Sequence, residues 1–432
     1  MHHHRIAALA LLAGCAGSSD ARSSATPPEP LSNASFEAVT APTAADRQHK
    51  GDPPRSTCYV DFLDVGSGLA VLVRCKDGAD RALNLLYDGG SNDPVMRNQD
   101  RLVYLLDHGL GFAPGATIHH LIQSHPHFDH HSELIRNGGV LARYDVRNVW
   151  DPAAINDTVA YGCFITSVIE KANATNLVYH PARACPDFSK LRCDGNAIPA
   201  WRTQATSVRP FDAPSRTTPD VAAPAFNFGV TGITGRILHA DPTVNEDHAN
   251  DATLVVKLDL FGVKLLLAGD EEAGRRAAAD TPARDSSVEK FLLDSGADLS
   301  ANIVQIPHHG SETSSTNEFQ RATLIMVRDR SETYAVVSSG PKEYSGTQLP
   351  DARIVESWKR KIGRSHVLST KLNDGNGNGA RCARNADKIA PTPATDDTPA
   401  GCNDVEFTIS DAARGRKIKS IVYWPIGPEV RP

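Results

Sequence analysis

IQSHPHFDHH, from Ile122 to His131, sets His125 and His127 two positions apart, followed by Asp129 and His130, directly after an apolar run that reads as a strand. Four metal-competent side chains within six positions suit a divalent transition metal, zinc or manganese, because imidazole and carboxylate are the ligands such ions favour. In a turn leaving a strand, alternate residues face one ion, while the next pair, at a helix start, faces a second. The plain alternative is a histidine-rich surface loop, against which the spacing and the strand context both speak.

Outward from this stretch, CYVDFLDV, LAVLVRC and ALNLLYD are short runs rich in Val, Leu and aromatic residues with glycine-containing turns, and read as strands. A helix-like stretch runs from Arg97 to His108, a strand from Ile118 to Gln123, and a helical pattern from Ser132 to Arg136. The middle, Asp151 to Arg236, offers a helix over Val159 to Ala172 and otherwise reads as a loop-rich insertion. TLVVKLDL and VKLLLAG are strands joined at Phe261-Gly262, VEKFLLDSG is a short helix stopped by Gly296, and NIVQIP and TYAVVSS are buried strands. The tail holds strand-like HVLSTKL, VEFTI and IKSIVYW around a polar loop from Asp374 to Asp404, read as an insertion in a small β subdomain.

The chain has 432 residues, 40% hydrophobic and 22% charged, which is globular composition with room for a large core. A formal charge of −6 leaves no general basic footprint for nucleic acid, so any phosphate chemistry has to be local. The first residues combine Arg5, a short apolar run from Ile6 to Ala13, and Leu12-Ala13-Gly14-Cys15, which resembles a bacterial lipobox. Cys15 is then the lipidated mature terminus; the alternatives are an ordinary cleaved signal or a tag remnant, which His2 to His4 fit. The expected division is 1–15 signal peptide, 16–55 flexible Ser/Pro/Ala-rich tether, 56–360 catalytic domain and 361–432 C-terminal β extension. The expected location is the bacterial cell envelope, periplasm or outer surface. In that oxidising compartment the other seven cysteines point to disulfides: Cys58 with Cys75, Cys382 with Cys402, and one odd thiol among Cys163, Cys185 and Cys193.

The H-x-H-x-D-H string is the motif of the metallo-β-lactamase superfamily, and the likeness extends further. FLDVGSGLAVLV, LLYDGGS, SHPHFDHH, NDATLVVKL with LLLAGD, EKFLLDSGADLSANIVQIPHHGSETSS and YAVVSSGPKEYSG stand in an order that resembles the branch typified by the soluble domain of ComEC-type DNA-uptake proteins. That branch also includes cell-surface phosphorylcholine esterases. The resemblance covers Cys58 to Trp358 and implies an α/β fold, an αββα four-layer sandwich, with two divalent metal ions at one edge.

Position by position, it implies that His125, His127, Asp129 and His130 bind metal, that Asp270 bridges the ions, and that His308 or His309 is the last ligand. Asp270 also reads as a simple turn cap, and alternation along the preceding strand favours His308 over its neighbour. His248 is near enough to reach the site; Asp88 orients the ligand loop, and Asp64 lies beneath it. His119, His120, His131 and His239 read as structural. The chain departs from the branch at Ser67 and Leu69 in the first glycine turn, and in YSGTQLPD, where Gln348 appears and no histidine follows.

The implied chemistry is hydrolysis by water activated between two ions ~3.5–4 Å apart, with Asp129 or Asp270 steering the water or taking its proton. The expected activity is a phosphodiesterase or nuclease acting on a small-molecule or nucleic-acid phosphodiester. The alternatives are an acyl hydrolase of β-lactamase or lactonase type and a non-catalytic surface lipoprotein. The lipid on Cys15 implies the membrane as a partner; no protein partner is inferred.

Overall fold

Strand alternation partitions the first half of the chain between two cores. In the antiparallel strands β1 (Thr57–Phe62), β2 (Val71–Lys76) and β3 (Ala82–Tyr87), Val60, Val73 and Leu85 turn to one cluster, whereas Leu72 and Leu86 turn to another. A sheet with both faces buried follows, as near-continuous apolar runs require. Strands β4 (His120–Ile122), β5 (Asn148–Asp151) and β6 (Val178–Pro181) continue it in parallel beyond β3. The computed structural model describes residues 49–92, 101–135, 138–183, 186–200, 208–244, 246–324, 332–340, 342–344, 346–370, 404–411 and 417–424. Cys15, Cys185, Cys382 and Cys402, the signal stretch and the polar loop of the tail up to residue 403 lie outside these residues.

A second sheet comprises β7 (Ala225–Phe226), β8 (Ile233–His239), β9 (Val255–Leu260), β10 (Val263–Leu267), β11 (Ile303–Gln305), β12 (Tyr334–Val337) and β13 (Val367–Ser369), in that spatial order. It is antiparallel through β10 and parallel from β10 to β13. The last strands, β14 (Asp404–Ser410) and β15 (Ile418–Trp424), return to the first sheet beside β1, giving the order β15-β14-β1-β2-β3-β4-β5-β6. Tail strands expected in a separate small β subdomain are therefore parts of the two main sheets, with β13 and β15 at an edge of each and β14 between β15 and β1. The middle segment likewise contributes β6 to the first sheet and β7 to the second rather than standing apart as a loop-rich insertion.

Helices cover what the sheets leave open. Against Leu72, Leu86 and Val149 pack α1 (Arg101–Tyr104, closing in a π-helical turn), α3 (Val140–Arg143) and α4 (Val159–Ala174). Between them, α2 (Phe128–His131) falls on the histidine motif itself, just ahead of the segment from Ser132 expected to be helical. The larger cluster, which joins the two sheets, also takes in Phe291 of α5 (Val288–Asp294), Phe319 of α6 (Asn317–Ala322) and Trp358 of α7 (Ala352–Ile362). Thr158, Ser287 and Thr316 cap α4, α5 and α6 by accepting from the third residue onward, satisfying otherwise orphaned amides. None of the described helices is long and apolar enough to cross a membrane.

Over β1, β2 and β14 the outer face carries charge. The buried Arg74 guanidinium donates to Asp61 Oδ2 at 2.9 Å and Glu406 Oε2 at 3.2 Å, and to the carbonyls of His49 and Gly51 at 2.7 Å each. Leaving any one partner alone there would cost several kcal/mol, ~3–5 by experience with buried pairs.

Cys58 and Cys75 sit opposite each other in the β1–β2 register and are bonded, as their bracketing of the two runs suggested. Cys163 pairs with Cys193, tying α4 to the chain after β6. Replacing both Cys58 and Cys75 by Ala should lower unfolding free energy by about 3 kcal/mol, from loop closure over a separation of 17 residues. Urea titration of the oxidised parent and the variant measures it, and reductant should affect the variant less.

Candidate metal centre

The candidate residues meet because the loops that carry them leave the carboxyl ends of parallel strands, where open α/β sheets place their ligand sites. Asp88 follows β3, His125 to His130 follow β4, Asp270 follows β10, and His308 and His309 follow β11. Asp88 adopts a left-handed φ of 58°, and its buried carboxylate faces the histidine loop. Its Oδ1 accepts from the Ser124 amide at 2.6 Å, and its Oδ2 lies 2.8 Å from His130 Nδ1. Gly90 lies so close under the loop that a Cβ there would sit 2.6 Å from the Asp129 carbonyl carbon and the His131 amide.

Two groups of ligand atoms result. His125, His127 and Asp270 form one, with His125 Nε2 2.9 Å from His127 Nδ1 and 3.8 Å from Asp270 Oδ2. Asp129, His130 and His309 form the other, with His309 Nε2 3.7 Å from Asp129 Oδ2. Asp270 lies between them: its Oδ2 is 3.2 Å from His130 Nε2 and 3.5 Å from His309 Nε2. Among the described residues, His130 Nε2, His309 Nε2 and Asp270 Oδ1 are buried without a hydrogen-bond partner, His130 Nε2 and His309 Nε2 making only ion-pair contacts. Protein interiors rarely tolerate such atoms. Here they converge on one spot, and imidazole with carboxylate is the donor set of zinc or manganese, so the residues fit the implied ions.

Three of the four imidazoles, those of His125, His130 and His309, are fixed through the other nitrogen, as is usual in metal sites. Ser124 Oγ lies 3.0 Å from His125 Nδ1, Asp88 holds His130, and the Ser338 carbonyl lies 2.8 Å from His309 Nδ1. Burial drives the ring pKa values of His125 and His127 down, leaving them neutral. Burial opposes charge on His130 too, but Asp270 and Asp88 overcome it and raise its pKa well above normal. Likewise burial disfavours charge on His308, yet Glu272 and Asp270 raise its pKa to about 9. Burial would raise Asp129 and Asp270, but His130 and His309 hold both low. The carboxylates thus demand positive charge, which the bare side chains meet with protons.

Of the two neighbouring histidines, the structure brings His309 into the cluster. The alternation that favoured His308 stops at Pro307, because both histidines sit in a tight turn at positive φ, 49° and 52°. His308 stands at the rim, its Nε2 3.9 Å from Asp270 Oδ2 and its Nδ1 2.8 Å from Glu272 Oε1. His248 is exposed and belongs to neither group. Asp64 is buried below, accepting from the Gly66 amide and donating its own amide to Asp404. His119, His120 and His239 are engaged with Asn84, Trp150 and the Thr253 carbonyl, and His131 with Gln123. Among the departures, Leu69 is core, and Ser67 accepts from the Lys342 amide at 2.9 Å.

Sequence reasoning missed Glu272, which receives Thr313 and Asn250 as well as His308. No local signal marked it, because Asp270 lies in a turn and Glu272 meets His308 only in the fold. Also missed was Tyr344, whose hydroxyl donates to Asp129 Oδ2 at 3.1 Å.

No family model matches the chain, and no curated protein matches it. Among solved structures it is similar to the metallo-beta-lactamase fold protein YhfI from Bacillus subtilis, at 12% identity and a TM-score of 0.33, over 73% of this chain and 97% of that one. It is also similar to a beta-lactamase domain protein from Burkholderia ambifaria, at 15% identity and a TM-score of 0.28, over 60% and 68% of the two chains.

Asp88→Asn preserves shape but removes the charge facing His130. Zinc affinity should fall ~10–100-fold, the usual consequence of losing a group that orients a ligand. Equilibrium dialysis against a competing chelator measures it, and unchanged affinity would contradict the role given to Asp88.

Proposed function

We propose that this chain is a hydrolase dependent on two divalent metal ions, zinc or manganese, and that its substrate is a phosphodiester. The observation that carries the reading is the convergence of His130 Nε2, His309 Nε2 and Asp270 Oδ1, buried and without a hydrogen-bond partner among the described residues, between two His/Asp groups. In this reading His125, His127 and Asp270 hold one ion, Asp129, His130 and His309 hold the other, and Asp270 serves both. When bound, such a pair polarises the attacked oxygen and brings the pKa of water toward ~7.

The side chains do the rest. Ser124, Asp88 and the Ser338 carbonyl keep the imidazoles of His125, His130 and His309 aimed, so little reorganisation accompanies reaction. Asp129 or Asp270 is placed to orient the attacking water and accept its proton, with His308 at the rim, 3.9 Å from Asp270 Oδ2. No nucleophilic side chain is needed. The choice of phosphorus over carbonyl carbon is supported by the order of motifs from FLDVGSGLAVLV to YAVVSSGPKEYSG, which resembles the ComEC-type branch, a likeness of sequence and not of chemistry observed. The same reading takes the two sheets and their helices as the four-layer αββα sandwich of that superfamily. It places the protein in the cell envelope, and export is supported by the two disulfides because such bonds persist in oxidising compartments; a lipid on Cys15 would hold it there.

Protein dialysed against zinc or manganese should retain close to two ions by elemental analysis and hydrolyse bis(4-nitrophenyl) phosphate faster than a cephalosporin or a lactone. Asp129→Ala and His130→Ala should each lower that activity by more than the ~100-fold reached when a merely orienting group is lost, with the circular dichroism spectrum kept. Cleavage of the lactam or lactone alone would transfer the protein to the acyl hydrolases; a metal-loaded protein inert to all three would favour a binding role.

A further inference from the structure

One candidate ligand is held differently from the others. His125, His130 and His309 are each oriented by a group close in the fold's own strand ends, whereas the Asp129 carboxylate accepts one hydrogen bond among the described residues, from Tyr344. Tyr344 comes from 215 residues further along the chain, on a small hairpin pairing Glu343–Tyr344 with Thr347–Gln348. The ring of Tyr344 lies parallel to that of His309, at 8° and 6.5 Å between centroids, so one residue touches two members of the same group.

The hairpin is delivered to this position by close packing at its base. The Lys342 amide donates to Ser67 Oγ at 2.9 Å, and Gly340 lies so near the first glycine turn that a Cβ would meet the Ser67 amide at 2.3 Å. The Lys342 ammonium rests 4.7 Å from the centroid of the Tyr344 ring, a cation–π contact that steadies the ring. Ser67, a departure from the branch pattern, is thus where the late hairpin is pinned to the early turn.

From this geometry we infer that Tyr344 is a positioning residue of the metal centre, whose hydroxyl sets the Asp129 carboxylate and thereby the affinity of the ion held by Asp129, His130 and His309. The inference rests on the two-ion reading above. Ligating carboxylates in metal sites are themselves hydrogen-bonded, and removing such a partner costs ~10–100-fold in metal affinity or activity.

The test uses full-length protein, with zinc as the probe and a chromophoric chelator as competitor. Tyr344→Phe keeps the ring over His309 and removes only the hydroxyl. It should weaken one of the two zinc ions by ~10–100-fold and leave the other at the parent value, with the thermal midpoint unchanged. With bis(4-nitrophenyl) phosphate, kcat should fall while KM stays near the parent value. In an Asp129→Ala background, Tyr344→Phe should cause no further loss of zinc affinity, because a residue acting through Asp129 has nothing left to position. Tyr344→Phe protein that binds both zinc ions as the parent does overturns the inference, as does an undiminished effect in the Asp129→Ala background. If the parent itself takes up no zinc, the two-ion reading fails and this inference with it. If the parent binds two zinc ions but cleaves no diester, only the choice of substrate fails, and the zinc titrations still decide the role of Tyr344.

Discussion

The Asp88 carboxylate holds the histidine loop at both ends. One oxygen takes the Ser124 amide, just before His125, and the other faces His130 Nδ1, at the loop's far end. For a carboxylate to point into the loop from the end of β3, the backbone must turn sharply, which explains the left-handed φ at Asp88 and the two glycines that follow it. Gly89 N donates to the His130 carbonyl, and Gly89 O accepts from Glu133, so the turn and the helix α2 are stitched together by backbone as well. A bulkier residue at Gly90 would push Asp129 and His131 outward, and the spacing written into the motif would no longer correspond to a spacing in space.

The centre also requires the two sheets to meet at one edge. Leu254 N donates to the Ser124 carbonyl and Tyr87 OH to the Leu254 carbonyl, joining the end of β4, the start of β9 and the end of β3. Gly269, at a positive φ of 56°, lets Asp270 approach from the second sheet, since a Cβ there would collide with Thr253, Ser124 and Tyr87. Asp270 therefore arrives beside His125 and His130 because the seam is tight. The charge gathered there is negative in excess and buried, and buried carboxylates persist only when they are paired with cations or protons.

Away from the seam, the same sheet solves a second electrostatic problem with its own residues. Arg74, Asp61 and Glu406 are buried together on β2, β1 and β14, and the backbone at His49 and Gly51 supplies the remaining acceptors. A buried cluster of this sort adds little net stability but is costly to break, so it favours the one register that pairs β14 with β1. The last described strands are thereby held in the main fold, 332 residues from the arginine they face.

How much was legible in advance follows from how local each signal is. The motif His125 to His130 was readable because its candidate ligands come from one loop, and the strands CYVDFLDV, LAVLVRC and ALNLLYD because alternation and apolar runs are properties of neighbouring residues. The Cys58–Cys75 bridge was legible for the same reason, as its cysteines end adjacent strands. Asp270 and the His308-His309 pair could be named as candidates, but the choice between the two histidines depended on a turn at positive φ that no alternation rule reaches. His248 was credible only by nearness in sequence, and the structure leaves it exposed. Glu272, Ser124 and above all Tyr344 became visible only in three dimensions, because each acts through a partner brought in by folding. The residues of the chain thus determined the chemistry available and most of the strands; the tertiary structure decided which donors share one point, since that depends on how two sheets close against each other and on which late segments, β14 and the Tyr344 hairpin, pack back onto the first turns.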